Sequence, residues 1–403
     1  MTTTVDPFTP GALFTPGALE RLTDPELHAS GDAHAVWQWM RRNAPIHHHA
    51  ASELPAFWSL TRYGDIRAVY QDGETFSSAQ GVLLRPVAAG EDPGGGLTLA
   101  LTDAPRHKQL RGLMAQWFST RAVRNLSGQV QAATRTVLDR AVERGRCDFA
   151  GDIAGWLSLS VIAHILGVPA EDHEELYRWT NEAFAEHISL VAHPEILGYF
   201  LELMDRRLRQ PGDDLISALL HGTAEGRPLT EEEAVLNCEN LIGASENGRL
   251  ALIGGMQAFL DHPDQWRRLG EDRELLPRAV EEVLRWTSSA THSSRVATRD
   301  CEISGRLIRA GERVVLWLPS ANRDEEVFTD PYRFDVARSP NRHIALAAGE
   351  HVCIGGTLAR VEMKVLFSEL LDTVSIDADG PVRALRSLAV NGPETLPVRL
   401  SAR

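Results

Sequence analysis

Residues 230–262 constrain the fold of this chain more than any other stretch. Thr230-Glu231-Glu232-Glu233 has the form of a capping box, in which a threonine hydroxyl and a glutamate three residues later satisfy the first free N–H groups of a helix. No proline interrupts the run before Pro263. At about 1.5 Å of rise per residue, such a helix crosses a whole domain. Helical spacing recurs over residues 121–143, through Val123, Leu126, Val130, Val137 and Ala141, and over residues 151–167, through Ile153, Leu157, Val161, Ile165 and Leu166. Strand signals are fewer: residues 57–61, 295–298 and 313–317, with a hairpin over 301–311 that turns at Ser304-Gly305. The expected fold class is therefore mainly α with small β-sheets. Residues 80–97, rich in glycine and proline, read as a long loop of the kind that is usually functional or disordered. No linker divides the rest. Residues 26–403 are expected to form one domain behind a flexible arm over residues 1–25, where the hexapeptide FTPGAL occurs in tandem at 8–13 and 14–19.

A formal net charge of −14 argues against general nucleic-acid binding, which needs a basic face. The four cysteines, Cys147, Cys238, Cys301 and Cys353, make no CxxC pair and no disulfide framework, which suits a reducing compartment. The amino terminus lacks the basic start of a signal peptide, and no run of about 18 apolar residues stands out. The expectation is a soluble, cytoplasmic protein that does not enter a membrane.

The chemistry centres on residues 343–360, HIALAAGEHVCIGGTLAR. Gly349 and Gly355 flank His351 and Cys353, and Leu358, Val361, Val365 and Leu366 continue at helical intervals. Cys353 thus sits where a glycine-rich loop enters a helix. The positive end of the helix dipole is expected to favour its thiolate. Glycines let the backbone lie close against a flat ligand. A lone cysteine is more often a buried structural thiol. The Gly349-x-His351-x-Cys353-x-Gly355 context reverses that preference, and it resembles the haem-binding loop of the cytochrome P-450 superfamily.

The resemblance extends over nearly everything after residue 30. Glu282-x-x-Arg285 resembles the family's Glu-x-x-Arg pair. The spacing also occurs at Glu143, Glu175 and Glu246, so it gains meaning only from its place on a helix before the cysteine and from Phe334-Asp335-x-x-Arg338 downstream. A structural Glu282–Arg285–Arg338 network is implied. His107-x-x-x-Arg111 shares one helix face. With Arg295 and His351 it is similar to the family's grip on haem propionates, a role that cationic and N–H donors suit. Without Cys353 the same residues would read as a solvated basic pair. The family fold implied is a single triangular, mainly helical domain with haem b, iron protoporphyrin IX, between the long helix and the Cys353 loop. Cys353 is the implied iron ligand, and the implied activity is monooxygenation of a small organic substrate.

The sequence departs from the family in three places. Leu346 and Ala347 stand where the loop usually begins Phe-Gly, which implies an altered potential with haem binding retained. The long helix reads Leu241-Ile242-Gly243-Ala244-Ser245-Glu246-Asn247-Gly248-Arg249, where the family has Ala/Gly-Gly-x-Asp/Glu-Thr. Glu246 keeps the acid, and Asn247 replaces a threonine that passes protons. An amide donates a hydrogen bond but shuttles protons poorly. Either Asn247 orders a water or a substrate hydroxyl, with Glu246 as the other half of the relay, or the chemistry is oxidative ring formation or coupling. Glu246 also reads as an ordinary ion pair with Arg249.

By family position the pocket comprises the 80–97 loop, Leu241, Ala244, Ser245, residues 288–294 (Ser289, Thr291 and His292 among them) and residues 389–391, including Val390. Residues 180–195 would form a lid. The polarity of 288–294 suggests an oxygenated substrate, and secondary-metabolite tailoring, on a polyketide or peptide that a carrier protein could present, is the activity implied by analogy. With no GxGxxG fingerprint after a strand and no flavin region, electrons are expected from a ferredoxin-type partner, with Arg111 and Arg360 as candidate contacts. A non-catalytic helper protein and a peroxide-driven haem enzyme are the alternatives. His47-His48-His49 and the tryptophans at 37, 39 and 58 read as ordinary structural residues.

Overall fold

The computed structural model describes residues 17, 19–90, 92–185 and 194–403. The tandem hexapeptide falls almost wholly outside them, as does half of the segment expected to act as a lid, residues 186–193. The arm expected over residues 1–25 ends earlier than its composition suggests. Glu20–Thr23 forms a 3-10 turn and Pro25–Ala29 a helix. Leu22 is fully buried among Trp37, Val315 and Trp317, and its carbonyl meets His28 Nε2 at 2.8 Å. An apolar side chain at that point holds the chain down despite the proline and glycine before it.

The helical body uses Arg106–Ala115 (α1), Thr120–Arg144 (α2), Trp156–Leu166 (α3), His173–Ala185 (α4), Pro194–Arg209 (α5), Glu231–Asp261 (α6), Leu276–Thr287 (α7) and Gly356–Thr373 (α8). The capping box forms: Thr230 Oγ1 accepts from the Glu233 N–H at 3.1 Å, and Glu233 Oε2 accepts from the Thr230 N–H at 2.8 Å. From that start α6 runs 31 residues, roughly 46 Å. Two glycines set how closely α6 packs. A Cβ on Gly255 would stand 2.7 Å from Val283 Cγ1 of α7 and 2.9 Å from Phe367 Cζ of α8. One on Gly254 would stand 2.7 Å from Thr287 Cγ2. The three helices therefore meet at a distance that only a bare backbone allows.

The helix expected over 151–167 begins as a π-helix, Phe149–Gly155, and becomes α-helical at Trp156. Together the two parts form a stretch of 18 residues, Phe149–Leu166, that is apolar enough by length and composition to cross a bilayer, contrary to the expectation that none exists. Its side chains instead fill the core: 72% of it is buried against α2, α6 and α8.

Strands Ile46–His49 (β1), Phe57–Leu60 (β2), Phe76–Ser77 (β3), His292–Ala297 (β4) and Arg313–Trp317 (β5) form one sheet in the order β1-β2-β5-β4-β3. The run Val314-Val315-Leu316-Trp317 is buried throughout, as suits a central strand. It pairs parallel with β2 and antiparallel with β4, where Val314 lies opposite Arg295. The expected hairpin forms as Cys301–Ile303 paired with Arg306–Ile308, with Ser304 and Gly305 both at positive φ in its turn. The sheet places β4, and with it Arg295, beside the mouth of a cavity that α6 and α8 enclose from the helical side.

Candidate active site

The cavity has a volume of about 350 Å³, within the range of small-molecule sites. One wall is the Leu241–Gly248 face of α6, another is the Cys353 loop with α8, and Val82, Leu83 and the 289–295 segment close the third side. Cys353 lies three residues before α8, its N–H donating to the Leu346 carbonyl at 2.9 Å. The residue borders the cavity and is exposed there. Burial pushes the thiol up, and this outweighs the Gly355 N–H, Arg111 and Arg360, which pull the other way. Burial thus works against the helix terminus at this sulfur.

The loop carries a second departure in its geometry. Ala347 has φ +60°, a conformation that L side chains other than glycine rarely adopt. The place where the family has glycine is thus still a left-handed turn, now borne by an alanine. Gly349, at φ +70°, cannot be replaced so easily, because a Cβ there would fall 2.0 Å from the Tyr70 carbonyl oxygen.

His107, Arg111, Arg295 and His351 gather at one edge of the Cys353 loop. His107 is buried, and neither ring nitrogen has a hydrogen-bond partner among the described residues. Its ring centroid stands 4.1 Å from that of His351. Burial first, then Arg295 and His107, bring His351 down to about 3. Arg111 donates to the Val352 carbonyl at 2.8 Å. Arg295 is 5% exposed and donates to Ser293 Oγ and the Ser294 carbonyl at 2.9 and 2.7 Å, with the Tyr70 ring 5.3 Å away. No carboxylate among the described residues reaches it. A buried cation and a buried, unpartnered imidazole are expensive unless an anion completes them. This donor set fits the carboxylates of a porphyrin.

The support beneath the loop is a buried network. Glu282, fully buried, accepts two bonds of 2.8 Å from Arg285, two of 3.0 and 3.1 Å from Arg338, and one of 3.1 Å from Asn341 Nδ2. Arg285 also donates to the Asn322 and Pro331 carbonyls at 3.0 and 2.8 Å, so α7 is tied to two points of the chain that precede Arg333.

On α6 the expected relay is not assembled. Glu246 binds Arg249 through both oxygens, at 2.9 and 3.0 Å, and Arg249 continues to the Ala150 carbonyl of the π-helix at 3.3 Å. Burial raises the Glu246 carboxyl despite Arg249. The ion pair, not the relay, is what three-residue spacing on a helix produced here. Asn247 does line the cavity, and its Oδ1 is buried without a donor.

Of the other pocket residues named from the sequence, Leu241, Ala244, Ser245, Ser289 and His292 line the cavity. Thr291 and Val390 do not. Thr291 is fully buried behind the wall, its N–H bonded to the Ala389 carbonyl at 3.0 Å, and Val390 bridges to Ala290. Ser288 and Ser294 are likewise turned into structural bonds, to the Arg285 and Gly81 carbonyls. The polarity of this segment therefore serves the turn more than a ligand. His292 joins two loops, accepting from the Leu84 N–H at 2.9 Å and donating to the Leu388 carbonyl at 3.0 Å. Of the two candidate partner contacts, Arg360 is taken by Glu281 at 2.6 and 2.9 Å. Sequence reasoning missed Phe118, Ser158, Ile162 and Glu362 on the cavity wall. For three of these no motif could have shown it. Glu362 carried a signal: an acid four residues from both Leu358 and Leu366, on an apolar helix face.

Fold and site together define a haem-thiolate type of oxidase architecture, and the chain belongs to the cytochrome P450 family. The family's sequence profile, described as Cytochrome P450, matches residues 257–388. Cytochrome P450 NovI of Streptomyces niveus is 36% identical over 399 residues, covering 96% of this chain and 98% of its own. The crystal structure of P450 OxyD, described as involved in the biosynthesis of vancomycin-type antibiotics, superposes with a TM-score of 0.88 at 35% identity, covering 95% of this chain and 99% of that one. P450BioI, in complex with an acyl carrier protein ligated to hexadec-9Z-enoic acid, superposes with a TM-score of 0.81 at 30% identity, covering 95% and 99%. The chain is a monooxygenase of small organic molecules, and its cofactor is haem b, bound near the Cys353 loop.

Proposed function

We propose that this monooxygenase tailors a secondary metabolite, that Cys353 would hold the haem iron through its sulfur, and that electrons are supplied by a separate ferredoxin-type protein. The observation that carries the haem assignment is the pairing of a cavity-facing cysteine with Arg295 and His107, polar groups buried with no anion to answer them. Haem supplies the redox iron that activates dioxygen when bound. His107, Arg111, Arg295 and His351 would hold its propionates, and Gly349 and Gly355 let the loop backbone approach it. Gly355 leaves space beside the Cys353 sulfur, where a Cβ would lie 3.9 Å away. Leu241, Ala244 and Ser245 form the substrate side, and His292 fixes the two loops above it. Asn247 orders solvent through its unpartnered Oδ1, while Arg249 holds the Glu246 carboxylate away from the cavity. Glu282, Arg285 and Arg338 keep the loop in place without touching substrate.

The tailoring role is supported by the similarity to OxyD, which is involved in the biosynthesis of vancomycin-type antibiotics, and presentation of substrate on a carrier protein by the similarity to P450BioI, solved in complex with an acyl carrier protein. A cytoplasmic setting with a soluble electron donor accompanies this reading. The helper alternative loses its footing with the family assignment and with a cavity built around buried polar groups. The test is the absorption spectrum of the reduced, carbon-monoxide-bound protein beside its Cys353→Ser variant. A strongly red-shifted Soret band in the wild type, lost in the variant, is expected. A wild-type protein that takes up haem but shows no such band would overturn the thiolate assignment.

A further inference from the structure

Three buried nitrogen atoms in one region of the fold have no hydrogen-bond partner among the described residues: Trp37 Nε1, His34 Nδ1 and Arg323 Nη1. His34 and Trp37 stand three residues apart on the helix Ala33–Asn43 and so share a face. Their ring centroids are 5.2 Å apart. Arg41, one turn further along that face, donates to Ser320 Oγ and to the Ser320 carbonyl at 3.0 and 3.3 Å. These bonds dock the helix on Leu318–Ala321, and the chain from there leads directly to Arg323. Arg323 is 5% exposed. Its Nη2 donates to the Trp286 carbonyl at 2.8 Å, and its guanidinium lies 4.8 Å from the Trp286 ring, which leaves Nη1 unanswered.

The acids nearby are already engaged. Glu282 holds both Arg285 and Arg338, and Glu325 holds both Arg41 and Arg42. Asp324 accepts from the backbone N–H groups of Tyr63 and Glu326 at 2.8 and 3.1 Å. No carboxylate among the described residues pairs with Arg323. Burial, and then Arg285, pull the Arg323 guanidinium down to about 9. Burial holds His34 well below the ordinary imidazole range, and Arg323 is the charge that adds most to this, so the two are neighbours and the imidazole is neutral.

We propose that Trp37, His34 and Arg323 form a binding site for a monatomic anion, chloride, that joins the helix Ala33–Asn43 to the segment after β5. A buried donor without an acceptor and a buried cation without a counter-ion are both costly, and one small anion answers all three groups. Trp37 Nε1 and Arg323 Nη1 carry only hydrogens to give, and neutral His34 takes the tautomer with its hydrogen on Nδ1. A water molecule would bring two further hydrogens into a group that offers no acceptor. The His34 ring stands 5.2 Å from that of Trp37 and 6.2 Å from that of Tyr332, a spacing that suits a single atom better than phosphate or sulfate. The site has a bearing on the cavity. Trp37 packs against Trp317 of β5 at 5.6 Å, and Trp317 meets His292 of the cavity wall at 5.5 Å. The anion thus secures the scaffold behind that wall.

Bromide, which replaces chloride and scatters anomalously, tests this in crystals of the holoenzyme. The expected map has a bromide peak in contact with Arg323 Nη1 and Trp37 Nε1. In solution, exchanging sodium gluconate for sodium chloride at a constant ionic strength of about 0.15 M should raise the melting temperature by about 2 °C. Trp37→Phe keeps a ring and loses the N–H, so it should need tenfold more chloride for the same rise. Arg323→Gln should lose both the peak and the chloride response; should that variant not fold, Trp37→Phe decides alone. A wild-type map without a bromide peak at this place would overturn the proposal. So would equal melting temperatures in chloride and gluconate, or a chloride response that Trp37→Phe leaves unchanged.

Discussion

Ala347 shows how a single side chain can record a cost. A left-handed residue other than glycine is disfavoured by about 1–2 kcal/mol, and the turn before Cys353 keeps that conformation regardless. Ala347→Gly should stabilise the protein by roughly 1 kcal/mol, since part of the relief is offset by the added freedom of the unfolded chain. Urea denaturation of the two proteins checks this, and a loss of stability would mean the alanine methyl makes packing contacts worth more than the strain. Glu362 makes a prediction of a different sort. Its folded pKa of about 8 lies above the reference value of 4.5. Between those values the unfolded chain releases a proton that the folded protein retains, so the stability this group contributes is full below pH 4.5 and is lost as pH rises to 8. Glu362→Gln removes that dependence. Its unfolding free energy relative to wild type should climb from pH 5 to pH 8 and then level off, by an amount on the order of a few kcal/mol. Parallel curves would show that the carboxyl is already ionised at neutral pH.

Among the elements, α6 carries glycines of opposite meaning. Nothing lies within 4 Å of a Cβ built on Gly243, whereas one on Gly255 would press on Val283 and Phe367. Gly243→Ala should therefore stabilise the helix by about 1 kcal/mol, and Gly255→Ala should destabilise the protein by about 1–3 kcal/mol through overpacking. Thermal melts of the two variants should move in opposite directions. The sequence alone does not separate these glycines, because both interrupt the same helical pattern. What it did disclose of α6 was the start and the stop, since a capping box and a following proline are local signals. The central strand was equally plain, as Arg313–Trp317 matches its expected bounds. The π-turn at Phe149–Gly155 was hidden, because seven residues of apolar spacing fit α and π geometry alike. In the site, Cys353, His107, Arg111, Arg295 and His351 were found by motif. The status of Glu246 was left as two alternatives, and only the rotamer of Arg249 decides between them. Thr291 was placed in the pocket by family position, but it precedes the strand His292–Ala297, where its N–H is tied to the Ala389 carbonyl and its side chain is buried off the cavity.

For the molecule as a whole, cofactor and fold are coupled. The apoprotein must bear Arg295 and His107 without an anion, and Cys353 without a cation. A ligand that binds only the folded form adds about 4 kcal/mol at a thousandfold excess over its dissociation constant. Removing haem should lower the melting temperature and speed amide hydrogen exchange first in residues 343–355 and in α1, while the α2–α3 core keeps its protection. Uniform loss of protection throughout would mean that haem is needed to assemble the entire body. The order of the sheet bears on how the chain comes into being. Strand β2 ends at Leu60, and its parallel neighbour β5 begins at Arg313. At a synthesis rate of about 5–20 residues per second, the intervening chain takes roughly 10–50 s to make. Throughout that interval Phe57 and Leu60 have no sheet to cover them, and an open strand edge invites pairing with another chain. The joint that sets Arg295 beside the cavity is thus among the last parts of the fold that a ribosome can complete, and the nascent protein depends on something shielding its amino-terminal hairpin until then.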